Sequence, residues 1–171
     1  MRRREVVRYL GAALALPFLP NSADAAMQLG EALHRQIATS EPDFRTLTPQ
    51  QQALVTRIAD MIIPETDTPG ATSVKVPQFI DLILTDWMSD AERTAFLAGL
   101  GELASKPLTT ALVASLDEAR ADKTGAGHTF GRIKALTIYG YFTSKPVQQD
   151  ILRTRMLFDG YHGDVPFTSA T

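Results

Sequence analysis

The sequence predicts an all-α fold, a single compact multi-helix domain with a shaped Pro/Gly-rich loop and a coiled C-terminal tail. Three observations carry that prediction. Apolar residues recur at three- and four-residue spacing along most of the chain, capping signals precede two of those runs, and strand patterns are almost absent. A length of 171 residues, with no internal repeat and no Ser/Gly linker, suits one core.

Leu29, Leu33 and Ile37 recur every four residues and predict a helix over 27–40, stopped by Pro42. Thr48-Pro49-Gln50-Gln51 reads as a helix start, with Thr48 capping, Pro49 in the first turn and Gln51 completing a capping box. Leu54, Val55, Ile58 and Ile62 then share a face as far as Pro64. From Pro64 to Pro77 three prolines, a Gly and several Thr predict a loop with turns. Pro77 begins a helix whose Phe79, Leu82, Ile83 and Trp87 line one side. Ser89-Asp90-Ala91-Glu92 is a second capping box, opening a helix that carries Phe96, Leu97, Leu100 and Leu103. A helix over about 108–120 ends in a Gly125-Ala126-Gly127 break. His128 to Phe142 is periodic again, and Ser144 to Arg155 can hold a short last helix.

The N-terminus reads as an address. Arg2, Arg3, Arg4 and Arg8 precede an apolar run from Tyr9 to Leu19, and Ala23-Asp24-Ala25 supplies the A-x-A that signal peptidases read. Residues 1–25 are therefore expected to be a signal peptide, cleaved before Ala26, with 26–171 as the helical domain. The run is shorter than the ~20 residues of a membrane span and is interrupted by Pro17. Arg3-Arg4-Glu5-Val6-Val7-Arg8 resembles the twin-arginine pattern, which is associated with export of folded proteins. The expected location is the periplasm.

Composition narrows the chemistry. Seventeen Lys plus Arg against nineteen Asp plus Glu give a net charge of -2, and removing residues 1–25 makes it -4. Such a balance offers no basic face for nucleic acid. The absence of Cys excludes disulfides, thiolate zinc sites, iron–sulfur ligation and C-x-x-C-H haem attachment. There is no G-x-G-x-x-G, no Gly-Lys-Ser/Thr phosphate loop, no H-E-x-x-H and no G-x-S-x-G. His34, His128 and His162 fall on three elements; they could converge on a metal or serve separately as surface or capping residues. Glu65 and Asp67 could form an acid/base pair or hard-cation ligands, or Asp67 could bond its own backbone in a turn. No catalytic, cofactor-binding or metal-binding residue is assigned.

Aromatic residues gather late in the chain. Tyr141 and Phe142 read as core, whereas Phe158 and Tyr161, framed by Gly and Pro, read as contact residues. The expected partner interface comprises Thr66, Asp67 and Pro69 in the loop, Tyr139, and the tail residues Phe158, Tyr161 and Val165.

Three blocks carry a resemblance. They are Leu47-Thr48-Pro49-Gln50-Gln51 with Ile58 to Pro64 and Thr66 to Ala71, Lys134 to Ser144, and Gly160 to Pro166. In that order they resemble the gluconate 2-dehydrogenase subunit 3 family, with one departure at Asp164, where the family often has Cys. The resemblance implies a non-catalytic small, gamma-type subunit of a periplasmic dehydrogenase complex. Its large subunit, of the glucose–methanol–choline (GMC) oxidoreductase type, would carry FAD and oxidise a sugar, sugar acid or glycoside. A c-type cytochrome would provide haem in a third subunit and an indirect link to the membrane. The small subunit would assist the large one and lend it the Arg3-Arg4 signal for co-export. Two other readings stand beside it: a stand-alone periplasmic helical binding or chaperone module, and an independent enzyme using Glu65, Asp67 and a histidine.

Overall fold

Six α-helices and a closing π-helical turn follow one another in the computed structural model, which describes residues 20, 22–39, 44–119 and 124–152. They are α1 (Ala23–Thr39), α2 (Pro49–Ile62), α3 (Val76–Asp86), α4 (Asp90–Ala104), α5 (Thr110–Glu118) and α6 (Gly125–Thr143), then the π-helical turn Val147–Ile151. No strand occurs among the described residues.

Both expected capping boxes form. The Thr48 hydroxyl accepts from the Gln51 amide while Gln51 Oε1 accepts from the Thr48 amide at 2.9 Å. Ser89 and Glu92 repeat the arrangement at the start of α4. Each box satisfies two amides that a helix N-terminus otherwise leaves unpaired. Helix α6 begins differently. Gly125 sits at φ 81°, a left-handed conformation that glycine adopts without steric cost, and the Glu102 carboxylate of α4 accepts from the Ala126 amide at 3.0 Å. The Gly125-Ala126-Gly127 segment, which reads from sequence as a break, is thus the first turn of the longest helix among the described residues.

Helix α6 is the axis of the molecule, with all five other α-helices packed around it. Its Phe130, Ile133, Leu136 and Tyr139 meet Val55 and Ile58 of α2, Phe79 and Ile83 of α3, and Leu100 and Leu103 of α4 in one continuous core. Each of these side chains is almost fully removed from water, which contributes ~1.5–3 kcal/mol apiece. Small residues bring the helices close. A Cβ on Gly30 of α1 would collide with Thr143, one on Gly99 of α4 with Thr129, and one on Gly140 would lie 2.8 Å from the Phe79 ring.

Polar links fix the remaining geometry. Asp81, buried within the apolar run of α3, accepts from the backbone amides of Arg45, Thr46 and Leu47 at 2.7, 3.1 and 2.8 Å and so ties down the approach to α2. Arg93 donates to the carbonyls of Leu84 and Thr85 at 3.0 and 3.1 Å, placing a cation on the end of α3, where the helix dipole is negative. Arg132–Glu92 at 2.9 Å joins α6 to α4, and Lys134–Asp117 at 2.6 Å joins it to α5.

Two further expectations are revised. Trp87 does not line the buried side of α3: the helix ends at Asp86, the amides of Trp87 and Met88 both bond to Ile83 O, and Trp87 is 41% exposed. The short helix expected after Ser144 is a π-helical turn, anchored by buried Val147 and by Gln148, whose side-chain amide donates to Phe142 O. Among the described residues, no helix is long and apolar enough to cross a membrane.

Candidate partner-binding surface

The segment between α2 and α3 is the most irregular described stretch, and its shape follows from its sequence. Pro64 has no amide to continue α2, so the helix closes with Ile63 N bonding to Ala59 O at 2.9 Å. The chain then loops out and returns, the Ala71 amide meeting Ile63 O at 3.0 Å. Within the loop, Thr66 N bonds to Thr68 O at 3.0 Å, and the Thr66 hydroxyl donates to Asp67 Oδ1 at 3.0 Å. Gly70 lies so near the Glu65 backbone that a Cβ there would be 2.7 Å from Glu65 N. The loop ends at Lys75, a non-glycine residue at φ 61°.

One side-chain link braces this loop internally and two hold it to the body of the molecule. Ser73 Oγ donates to Glu65 Oε2 at 2.6 Å, Thr72 Oγ1 to Asp60 Oδ1 at 2.5 Å, and Tyr141 Oη to Pro69 O at 2.9 Å. Burial pushes the Tyr141 hydroxyl above the usual phenol value, opposed by a hydrogen bond with Thr68, so it remains a neutral donor. Thr66 and Asp67 are exposed at the tip, Pro69 is half-buried, and Met61 on the last turn of α2 is 43% exposed. The arrangement is a preformed polar loop beside an exposed apolar side chain. A loop fixed in this way loses little conformational freedom on binding.

The carboxylates of Glu65 and Asp67 each accept from a local hydroxyl, Glu65 from Ser73 and Asp67 from Thr66. His34 is neither a surface nor a capping residue. It stacks on Phe79 with centroids 5.0 Å apart, and its Nε2 lies 2.7 Å from Gly140 O, linking α1 to α6. Burial lowers its pKa, partly offset by that carbonyl. His128 lies on α6, and no group of three or more His, Asp or Glu gathers in metal-binding geometry among the described residues.

Tyr139, expected at the interface, belongs to the core instead. It is 1% exposed, packs edge-to-face on Phe79, and donates from its hydroxyl to Ala26 O at 2.6 Å. Tyrosine combines an apolar ring with a polar tip, so periodicity and composition alone do not separate the two roles. Tyr141 and Phe142 are core as expected. Arg3, Arg4, Phe158, Tyr161, Val165 and His162 lie outside the described residues. Of the expected junction residues, Ala23 is exposed, Ala25 half-buried and Ala26 buried, and all three sit in the first turn of α1.

A family model described as gluconate 2-dehydrogenase subunit 3 matches residues 49–112, from the first turn of α2 across the loop into α5. Over these residues the chain is similar to the gluconate 2-dehydrogenase subunit 3 family. The matched family is described as a dehydrogenase subunit, in keeping with an accessory role. The candidate loop lies wholly within the matched region, whereas the second and third blocks of the resemblance, 134–144 and 160–166, lie beyond it. Searches of curated proteins and of solved structures return no match to this chain.

Proposed function

We propose that this chain is the non-catalytic small subunit of a periplasmic FAD-dependent dehydrogenase acting on a sugar, sugar acid or glycoside. It binds and stabilises a GMC-type flavoprotein large subunit and supplies that partner with its twin-arginine export signal through Arg3 and Arg4. The FAD resides in the large subunit, and a c-type cytochrome carries haem in a third. The observation that supports this reading above all is the family match over 49–112, which frames the preformed loop Pro64–Lys75. The loop offers Thr66, Asp67 and Pro69, with Met61 beside them, to the partner. A permanent interface of this kind buries ~2,000 Å² or more with an apolar centre, so surfaces besides the loop take part.

Two experiments test the proposal together. Purification of the tagged chain from the periplasm yields a second, larger chain with flavin absorbance. Changing Arg3 and Arg4 to Lys leaves that larger chain in the cytoplasm. A colourless, solitary protein, or normal export of the partner with the altered leader, overturns it.

A further inference from the structure

The bond that a signal peptidase would cut lies inside a docked helix. Cleavage before Ala26 breaks the Ala25–Ala26 peptide bond, and α1 begins upstream of it at Ala23. The Ala25 amide bonds to Ser22 Oγ at 3.2 Å, and the Ala26 amide, one half of the scissile bond, bonds to Ser22 O at 3.0 Å. On the other side, Ala26 O accepts from the buried Tyr139 hydroxyl at 2.6 Å, and the Ala26 side chain is 5% exposed. The rest of α1 is held by Leu33 and Ile37 in the core, by the close approach of Gly30 to Thr143, and by His34 on Gly140 O. Proteases take their substrates as extended backbone whose amides and carbonyls are free to pair with the enzyme, and susceptibility follows the burial and hydrogen bonding of the segment. Here the A-x-A residues are helical and the residue after the cut is packed in the core.

We propose that the folded chain protects its own Ala25–Ala26 junction and keeps its leader after export. The inference rests on the export reading above, because the twin-arginine route delivers a folded chain and α1 is then already docked when the peptidase is met. The leader's four Arg and its apolar run from Tyr9 to Leu19 stay covalently attached to the domain. An apolar segment preceded by cations is suited to the interface of an anionic lipid bilayer, so retention gives the subunit a tether of its own.

The test uses the full chain and a synthetic peptide of residues 1–30, each incubated with purified bacterial signal peptidase in detergent and followed by intact mass. The expected result is that the peptide is cut between Ala25 and Ala26 while the folded chain is cut ~100-fold more slowly or not at all, its cleavage waiting on local opening of α1. Tyr139→Phe removes one link while keeping the ring, and accelerates cleavage of the folded chain ~5-fold, as the loss of one hydrogen bond predicts. Leu33→Asp, which undocks α1, accelerates it further. Cutting of peptide and wild-type chain at similar rates overturns the protection while leaving the leader reading intact. Failure of the peptide itself to be cut shows that 23–25 is no peptidase signal, and the leader reading falls with the proposal. Intact mass of the exported wild-type chain puts the same question to the cell: a species beginning at Ala26 overturns the proposal, and one retaining Arg2–Arg4 supports it.

Discussion

The hydroxyl of Tyr141 donates a 2.9 Å hydrogen bond to the carbonyl of Pro69, joining the central helix to a loop residue 72 positions earlier in the chain. This bond connects the hydrophobic core to the surface that the family match frames. Tyr141→Phe keeps the ring packing and deletes only the donor, so its cost is expected at about 1 kcal/mol. Amide exchange at 66–71 should rise more than exchange in α4, because the loop loses one of its two side-chain anchors to the body. Uniform acceleration across both segments would show that the bond supports the whole fold rather than the loop.

Asp81 offers a larger effect. Its carboxylate satisfies three backbone amides at once, and Asp81→Ala leaves all three without an internal partner. A loss of ~2–4 kcal/mol is expected, measured by urea denaturation, with Asp81→Asn costing about half because one oxygen remains. Equal losses for the two variants would mean that the negative charge, not acceptor geometry, carries the effect.

Two glycines in one helix make opposite predictions. Gly101 of α4 has open space where a Cβ would go, so Gly101→Ala is expected to stabilise by about 0.5–1 kcal/mol through helix propensity. Gly99, two residues earlier, faces Thr129 and the Gly125 carbonyl, and Gly99→Ala is expected to cost about 1–3 kcal/mol by forcing α4 away from α6. Thermal denaturation of the two variants side by side checks both signs.

How much of this is legible in the residues varies with the kind of interaction. The two capping boxes and the proline stop at Pro64 are local, each needing only the next few residues, and they stand where the sequence puts them. The Thr66–Pro69 turn is likewise written in its own residues. The role of Asp81 escapes a reading of the sequence because its amide partners lie 34 to 36 positions away; the only signal is a lone carboxylate within the apolar run Val76–Leu84. His34 escapes it for the same reason, since its partner carbonyl is 106 residues distant. Tyr139 misleads because an amphipathic aromatic gives the same pattern in a core as at an interface. Gly125 reads as a break because glycine marks helix starts and stops alike until the capping carboxylate, Glu102 of another helix, is known.

His34 makes stability depend on pH. Its folded pKa lies below the unfolded value near 6.5, so the unfolded chain binds more protons and stability rises with pH across that interval. The contribution is complete above the unfolded value and is lost as pH falls through the folded one. The melting temperature of the wild type should therefore drop between pH 7.5 and 5, and His34→Gln, which does not titrate, should show a flatter profile over that range. Parallel profiles would assign the change to other groups.

The loop itself can be tested without disturbing the core. Thr66 and Asp67 are exposed, and Asp67→Arg alters the charge presented at the loop tip. Unchanged melting temperature with reduced co-purification of the proposed flavoprotein partner is the expected outcome. Retention of the partner at wild-type levels would move the interface elsewhere on the subunit.

Because α6 supplies the central strut yet lies at 125–143, the growing polypeptide can make only the lesser packing of α1 and α2 on α3, and of α2 on α4, until most of it has left the ribosome. Helices α1 to α5 emerge with the faces that pack on α6 uncovered and depend for them on a later segment, so vectorial synthesis gives only a partial core to start from. A ribosome stalled anywhere before Thr143 should hold a protease-sensitive nascent chain, and resistance should appear in one step once α6 is released.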